Sequence, residues 1–401
     1  MKRRLRTFIL SLQKVLHMKK VLNITTAFRA RCALILTASV IMFSSCQKQI
    51  TGPAQRSTSE ATELAKENPQ LLKDFNQVNL IANNNEYGAQ TVDPNLVNGW
   101  GLAFSSGGIA WISANGTGLS LVYNSSGAQV RPAVSIPSPG SSMGGMVTGA
   151  VFNSTSDFVL SNGTAGRFIF AGIDGVISGW NPPAGNNAIK QVDRSSSSVY
   201  TGLAIGHTGA NNYLYAADFR TGQIDVFDKN FAMVSLPGMP FMDPSLPSGY
   251  APFNIQNIGS WLYVMYAKVG ADGDEDAAPG NGYVSIFNMD GQFVKRFASR
   301  GQLNAPWGVA QAPAGFFGDE TITTNTPVIL VGNFGDGRIN AFDSEGTFLG
   351  QLRSHGNPIQ IEGLWAISFA PTTASSINPN QLFFTAGPDD ETHGLFGYIS
   401  K

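Results

Sequence analysis

The 401-residue sequence predicts an all-β fold built from six repeats. Three observations support this prediction. Six short alternating runs each end in an aromatic residue, the aromatic residues lie 47 to 60 positions apart, and Asn or Asp follows five of them directly. Glycine is abundant, with 45 residues, and charged residues make up only 13% of the chain. A long period and a glycine-rich, weakly charged composition are typical of many short strands joined by tight turns. The aromatic residues are Tyr123, Trp180, Phe227, Phe287, Phe342 and Tyr398.

Each repeat is predicted to contain three clear strands and a weaker fourth. The first strand begins near a glycine and is small and apolar, as in 101–104 and 202–205, which suits strands that crowd around a central axis. The second strand is richer in β-branched and aromatic residues, as in 261–266. The third strand alternates apolar and polar residues and ends at the aromatic position, as in 338–342.

Six such units arranged radially form a six-bladed β-propeller. The sixth unit ends at Lys401 with no room for an outer strand, whereas 75–82 precede the first unit as an unassigned strand. We predict that this N-terminal strand completes the last blade and closes the ring, because closure leaves no long edge strand unpaired. The propeller is therefore expected to span 75–401. An open β-solenoid is the alternative architecture.

The N-terminal region predicts export. Residues 1–45 carry nine Lys or Arg and no acid, and they include an apolar run, 33–43, that is too short to cross a bilayer comfortably. The residues up to Cys46 resemble the lipobox of bacterial lipoproteins. We therefore expect 1–45 to be a lipoprotein signal peptide, with Met18 as an alternative start, Cys46 to be lipidated, and 46–74 to form a flexible tether. An uncleaved anchor helix is the alternative.

Charge and cysteine content indicate the partners of the exported part. Without the nine leader cations, 17 Lys and Arg remain against 27 Asp and Glu, so the net charge is about −10. This acidity argues against a nucleic-acid partner and is compatible with cation binding. The two cysteines are Cys32 and Cys46, so the folded domain has no disulfide. We expect a monomer anchored in the bacterial envelope through the lipid on Cys46, on the periplasmic or the surface side of the outer membrane.

The repeats resemble those of NHL-type and gluconolactonase-like six-bladed propellers. Three segments, 303–310 (Leu-Asn-Ala-Pro-Trp-Gly-Val-Ala), 331–343 and 393–397, further resemble a family of exported bacterial propellers, some of which end in a PEP-CTERM sorting tail. This chain has the lipobox in place of that tail. The resemblance covers 75–401 and implies the propeller fold and an exported location, but it implies no reaction.

In a propeller, the turns before each first strand and the turns between second and third strands emerge on one face, here named the mouth face. Loops on a rigid scaffold often carry function, and aromatic rings interleaved with Asn and Asp suit a sugar, a peptide or a metal-held small molecule. The alternative is that Trp307 and Trp365 pack between blades and that the Asn and Asp side chains bond to their own turns. The predicted ligand-binding mouth consists of Trp100, Asn115, Asp218, Arg220, Trp307, Asn333 and Trp365.

Two further groups of residues are candidates for chemistry. Clustered carboxylates bind Ca²⁺, the one cofactor that the sequence suggests, and four of them lie within five residues of a long loop in the fourth repeat. The spacing is not that of an EF-hand, and a solvated acidic loop is the alternative. His393 follows three acidic residues and is the candidate catalytic acid or base. The four carboxylates belong to Asp272, Asp274, Glu275 and Asp276.

Two functions are compatible with these features, and they leave open whether the protein is an enzyme. The first is a lipid-anchored envelope module that binds a protein or a glycan. It is favoured because the sequence has no nucleophile elbow, zinc-protease motif or phosphate loop. The second is a hydrolase or lyase of the gluconolactonase-like type. In it, Asn115, Asp218 and Asn333 would hold one divalent ion that polarises a carbonyl and activates water.

Overall fold

The computed structural model describes residues 71–313, 315–318 and 327–401. The predicted signal peptide, the lipidation site at Cys46 and most of the predicted tether lie outside these residues. Within them, no helix is long and apolar enough to cross a bilayer.

The described chain is built from β-strands that form six radial blades. It begins with β1 (Asn76–Ala82) and β2 (Thr91–Val92). Blade 1 consists of β3 (Gly99–Phe104), β4 (Ala110–Ala114), β5 (Leu119–Tyr123) and β6 (Val134–Ser135). A hairpin of β7 (Pro137–Ser138) and β8 (Ser141–Gly144) leads to blade 2. Blade 2 consists of β9 (Val147–Phe152), β10 (Phe168–Gly172), β11 (Val176–Trp180) and β12 (Ile189–Asp193), with a 3-10 turn at Pro182–Ala184.

The remaining blades repeat this order. Blade 3 consists of β13 (Tyr200–Thr208), β14 (Asn211–Asp218), β15 (Gln223–Phe227) and β16 (Met233–Val234). Blade 4 consists of β17 (Tyr250–Ile258), β18 (Trp261–Lys268), β19 (Gly282–Phe287) and β20 (Phe293–Ser299). Blade 5 consists of β21 (Pro306–Gln311), β22 (Ile329–Asn333), β23 (Ile339–Phe342) and β24 (Phe348–Gln351), followed by the pair β25 (Arg353–Ser354) and β26 (Asn357–Pro358). Blade 6 contains β27 (Leu364–Phe369), β28 (Leu382–Ala386) and β29 (Leu395–Ser400).

The N-terminal strand closes the ring, as the sequence predicts. β1 pairs antiparallel with β29, from Asn76 opposite Ser400 to Ala82 opposite Leu395. β1 is therefore the fourth strand of blade 6, and β2 adds a short parallel pairing on its outer side. The predicted six-bladed, closed all-β architecture is confirmed.

The packed domain begins earlier than the predicted boundary at residue 75. Leu71 and Leu72 are buried, and the Leu72 carbonyl accepts a hydrogen bond of 2.8 Å from the Arg353 N–H. Phe75 is fully buried, lies 5.0 Å from the Phe316 ring, and donates its N–H to the Arg353 carbonyl. Leu71 and Leu72, which precede the predicted boundary, therefore pack against the propeller.

The inner strands approach one another closely, as their small residues predict. A Cβ atom on Gly101 would overlap the Thr148 carbonyl oxygen of the next blade, and one on Gly149 would lie 2.5 Å from the Leu203 nitrogen. Glycine is required at these positions because neighbouring backbones meet there without room for a side chain.

Candidate functional site

Six aromatic side chains meet on the mouth face. They come from the first residues of inner strands and from the turns after β14 and β22. Trp365 is the centre: it stacks on Trp100 with 3.7 Å between ring centroids and on Phe334 with 4.1 Å, and it meets Trp307 edge-on at 5.8 Å. We name this cluster the aromatic plug; its members are Trp100, Phe219, Phe253, Trp307, Phe334 and Trp365.

Two hydrogen bonds from indole N–H groups hold the aromatic plug. The Trp307 Nε1–H donates to the Thr201 carbonyl of blade 3 at 3.0 Å. The Trp365 Nε1–H donates to Asn98 Oδ1, before blade 1, at 2.9 Å. The exposed fractions of Trp365, Trp307 and Trp100 are 0%, 4% and 6%. The plug therefore joins blade 5 to blade 3 and blade 6 to the segment before blade 1, and its three tryptophan rings are buried.

The structure brings the three predicted mouth tryptophans together, but their rings face one another. A ring that is enclosed by other rings offers no free face for a sugar to stack on. This geometry matches the alternative that Trp307 and Trp365 pack between blades. The Trp100 Nε1–H is buried and has no partner among the described residues. A ligand role for these rings stays a prediction.

The polar mouth residues hold three separate turns. The Asn115 Nδ2 donates to the Val147 carbonyl at 3.0 Å, which joins blade 1 to blade 2. Asp218 Oδ1 accepts the backbone N–H of Val199 at 2.9 Å and that of Arg220 at 3.1 Å, and the Arg220 side chain is exposed. These contacts serve local structure, as Asx turns do.

Asn333 has the same kind of role in blade 5. Its Nδ2 donates to the Gln302 carbonyl at 2.7 Å and to Asp336 Oδ1 at 3.0 Å. Asn115, Asp218 and Asn333 are thus engaged in three different blades, and no hydrogen bond of the described chain joins any two of them. Two of these side chains each have one buried oxygen without a hydrogen-bond partner, Asp218 Oδ2 and Asn333 Oδ1.

The acidic loop of blade 4 is a hairpin turn between β18 and β19. The Gly270 N–H donates to the Asp274 carbonyl at 2.7 Å, and Asp276 Oδ2 forms an ion pair of 2.7 Å with Lys268 Nζ. Asp272 and Asp274 are exposed, and Glu275 is half-buried. In the described ranges, no group of three or more His, Cys, Asp or Glu side chains is arranged to hold a metal ion. Calcium binding by this loop stays a prediction.

His393 lies in the turn before β29, on the mouth face. Its Nδ1 is 3.0 Å from Asn83 Nδ2 and 3.2 Å from Asn84 Nδ2, while Nε2 is 3.6 Å from Asp389 Oδ2. Each amide is oriented by its oxygen, since Asn83 Oδ1 accepts the Gly394 N–H and Asn84 Oδ1 accepts the Glu86 N–H.

This orientation assigns the proton of the neutral ring. Two N–H donors point at Nδ1, so Nδ1 is the acceptor and the proton lies on Nε2. The lone pair that a general base needs is already engaged. His393 therefore fits a structural role, in which it joins the segment after β1 to the last blade, better than the role of a catalytic base.

The axial channel is open on the face opposite the mouth. There, the last residues of the inner strands surround a cavity of about 300 Å³, here named the axial funnel. It narrows inward to a volume of about 10 Å³ that ends at Trp307 of the aromatic plug. Apolar side chains, among them Leu102, Ala150 and Leu203, form most of its wall. None of the described residues that line the funnel or its narrow end is ionisable.

Four polar side chains interrupt the apolar wall of the funnel and its narrow end: Asn254, Gln256, Asn257 and Ser368. Gln256 and Ser368 line both the funnel and its narrow end. Asn257 donates its Nδ2 to the Ile205 carbonyl at 2.9 Å, and its Oδ1 is buried without a partner. Sequence reasoning missed this cavity because its wall uses the residue types of any propeller core. The available signal was Gln256, which occupies the position where blade 1 carries Ala103.

Comparison with known proteins gives two relatives of similar length. The chain is 36% identical over 341 residues to the uncharacterized protein L690 of Acanthamoeba polyphaga mimivirus, which covers 81% of this chain and 86% of that protein. It is 35% identical to the uncharacterized protein R648 of the same virus, over 81% of this chain and 80% of that protein. No protein-family model matches the chain.

The solved structures that align with this chain are distant from it in sequence. Virginiamycin B lyase from Staphylococcus aureus is 14% identical, covers 82% of this chain and 99% of its own, and has a TM-score of 0.45. The calcium-binding protein regucalcin from Agrobacterium tumefaciens is also 14% identical, covers 76% and 90%, and has a TM-score of 0.44. At these values neither structure bears on what this chain binds or does.

Proposed function

We propose that this chain, which belongs to the same family as the uncharacterized mimivirus proteins L690 and R648, is a binding module whose ligand enters the axial funnel. The proposal rests on the geometry of the channel. The single observation that carries this proposal is the asymmetry of the channel. Its mouth end is filled by the aromatic plug, and its other end is an open cavity of about 300 Å³.

The lining of the funnel favours recognition over catalysis. General acid–base chemistry requires side chains that exchange protons near the operating pH. The described lining offers only apolar side chains, two amides and one hydroxyl group. An apolar wall with a few convergent polar groups is the usual character of a small-ligand site. This supports a non-enzymatic module, and the predicted protein or glycan partner of the mouth face is a separate proposal that the plug does not favour.

The test of the funnel uses a neutral apolar dye, Nile red, with two tryptophan variants whose folding is checked by circular dichroism. Ala150→Trp fills the funnel, whereas Val130→Trp adds the same ring at a position that is 46% exposed. We expect saturable binding by the parent and by Val130→Trp, and loss of binding by Ala150→Trp. Equal dye binding by Ala150→Trp and the parent would show that the funnel is not the site.

We further propose that the propeller is exported and anchored through a lipid on Cys46, as the lipobox-like sequence and the resemblance of 303–310 and 331–343 to exported bacterial propellers suggest. Radiolabelled palmitate supplied to a bacterial host tests this proposal. The parent should incorporate label and fractionate with membranes, and Cys46→Ala should do neither. A Cys46→Ala variant that still carries label would place the lipid elsewhere.

A metal-dependent hydrolase or lyase is the second candidate, and one observation favours it. Asp218 Oδ2 and Asn333 Oδ1 are buried oxygens without hydrogen-bond partners, and such oxygens are suitable ligands for a hard cation. A ligand that binds only the folded state raises the Tm. The test is thermal unfolding in EDTA and across a calcium titration.

The variants Asn115→Ala, Asp218→Asn and Asn333→Ala separate a shared ion from other calcium sites. A saturable rise in Tm that all three variants abolish would support one axial ion. A rise that only Asp272→Asn with Asp276→Asn abolishes would place calcium in the acidic loop. No rise at millimolar calcium would remove both calcium sites.

A further inference from the structure

We propose that the ligand of the axial funnel is an uncharged amphiphile, with an apolar body and one head group that both donates and accepts hydrogen bonds, and that Gln256 binds this head. This inference rests on the proposed function and names its ligand class.

The body of the ligand follows from the wall of the funnel. Phe104, Phe152 and Phe369 surround its outer part, and most of the other lining side chains are alanine, leucine, valine, isoleucine or proline. Apolar surface of this kind binds apolar groups by removing both from water. The volume of about 300 Å³ is at the low end of the range for small-molecule sites. It suits a single aliphatic or small aromatic body and is too small for a branched glycan.

The absence of charge follows from the same lining. No described lining residue is ionisable, so a charged head inside the funnel would be desolvated without a counter-ion. For an anion, the net charge of about −10 on the exported part adds an unfavourable long-range field. A neutral amide or alcohol meets neither penalty.

The position of the head follows from Gln256. This side chain is half-buried, lines both the funnel and its narrow end, and takes part in no side-chain hydrogen bond of the described chain. Its amide can donate and accept at once. The Ser368 hydroxyl belongs to the same narrow end, which Trp307 closes. A head group at the inner end would therefore reach the Gln256 amide and the Ser368 hydroxyl group. The Asn254 amide also lines this end, and its Nδ2 donates to the Trp307 carbonyl at 2.8 Å.

The repeat itself marks Gln256 as unusual. The corresponding position of the inner strand is smaller in the five other blades: Ala103, Val151, Ala204, Ala310 and Ser368. A propeller needs small residues here because the strands crowd around the axis. A long polar side chain at this one position interrupts that pattern inside the cavity. Asn257, the next residue, adds a buried acceptor without a donor.

The experiment compares four probes that share one eight-carbon chain: octanamide, 1-octanol, octanoate and octylamine. Isothermal titration calorimetry at pH 7 measures binding of each probe to the full chain, including the residues before Leu71. We expect octanamide to bind best, 1-octanol next, and the two charged probes about tenfold or more weaker. Octanoate or octylamine binding as tightly as octanamide would overturn the inference.

Two glutamine variants locate the head. Gln256→Leu keeps the size of the side chain and removes its hydrogen bonds, so octanamide should bind about tenfold more weakly. Gln311→Leu is the matched control, because Gln311 also lies on an inner strand but is exposed and outside the funnel. Unchanged octanamide binding by Gln256→Leu would overturn the assignment of the head.

The design separates this inference from the proposed function. If all four probes bind equally well and Ala150→Trp abolishes their binding, the funnel is a site and the ligand class is wrong. If no probe binds to the parent and Nile red binds equally to the parent and to Ala150→Trp, the funnel itself is wrong and the inference fails with it.

Discussion

The Trp307 indole N–H donates to the Thr201 carbonyl oxygen at 3.0 Å, and this bond joins blade 5 to blade 3 across the channel axis. Neighbouring blades in a propeller meet through their sheet faces, whereas this contact links blades that are not neighbours. The ring of Trp307 also packs against Trp365 at 5.8 Å. Trp307 therefore closes the channel and braces the ring at the same point.

Loss of this cross-axis bond should lower stability. Trp307→Phe keeps an aromatic ring in the aromatic plug but removes the N–H donor, and a lost buried hydrogen bond costs about 1–3 kcal/mol. Urea unfolding at 25 °C measures the change. Trp261→Phe is the control, because Trp261 is 43% exposed and should change the free energy of unfolding by less than about 0.5 kcal/mol. Equal values for the two variants would contradict a bracing role.

The close approach of inner strands predicts unequal effects of two glycine substitutions. A Cβ at Gly101 overlaps the Thr148 carbonyl oxygen, whereas a Cβ at Gly140 has no atom within 4 Å. Gly101→Ala should therefore destabilise by about 1–3 kcal/mol through overpacking. Gly140→Ala should be neutral or slightly stabilising. Thermal unfolding of both variants measures the difference, and a stable Gly101→Ala protein would show that the inner strands can separate at no cost.

The start of the packed domain can be tested by truncation. A protein that begins at Phe75 lacks Leu71 and Leu72, which are 2% and 8% exposed. Burial of one leucine side chain contributes about 1.5–3 kcal/mol, so the truncated protein should lose about 3 kcal/mol or more. Comparison with a protein that begins at residue 65 isolates the loss. Identical unfolding free energies for the two proteins would restore the boundary at residue 75.

Asp243 should make the protein sensitive to acid. Burial alone raises the pKa of its carboxyl group, but hydrogen bonds from Ser285, the Ser245 backbone and Arg296 together hold the pKa below its usual value. A lowered pKa stabilises the folded state above the unfolded value of about 3.9, and this stabilisation is lost as pH falls through the folded pKa.

Asp243→Asn leaves Arg296 without its counter-ion and should cost about 3–5 kcal/mol at pH 7. The parent and Asp243→Asn should differ in unfolding free energy by a constant amount down to about pH 5 and by a smaller amount below about pH 4.

Asp225 gives the opposite trend, because burial raises the pKa of its carboxyl group. The unfolding free energy of the parent minus that of Asp225→Asn should increase as pH falls. Parallel trends for the two variants would contradict these assignments.

Much of the fold could be predicted because the repeat is visible as a local pattern. The aromatic residues that end the third strands, such as Tyr123 and Phe287, lie where the structure ends β5 and β19. Ring closure could also be predicted, since the sixth repeat lacks an outer strand and 75–82 supplies one. The start of the domain could not, because Leu71 and Leu72 pack without any strand periodicity.

The candidate site was harder to predict, for a physical reason. The sequence predicts that Trp365 and Trp307 lie in the mouth-face turns, but it does not reveal whether neighbouring rings face solvent or one another. The answer depends on contacts between blades that lie tens to hundreds of residues apart. The axial funnel was hard to predict for the same reason. Ala150 and Leu203 have the residue types of a core, and only their three-dimensional arrangement leaves a space between them.

Ring closure by β1 has a consequence for how the protein is made. β1 is made well before β29 and must wait for it before blade 6 has its four strands. A growing chain therefore holds an open ring, in which β1 has no antiparallel partner strand, until β29 has been made. Such a non-local pairing forms slowly and exposes strand edges meanwhile. A chain that crosses a membrane before folding would meet this condition naturally, since both ends are then present together when the ring first closes.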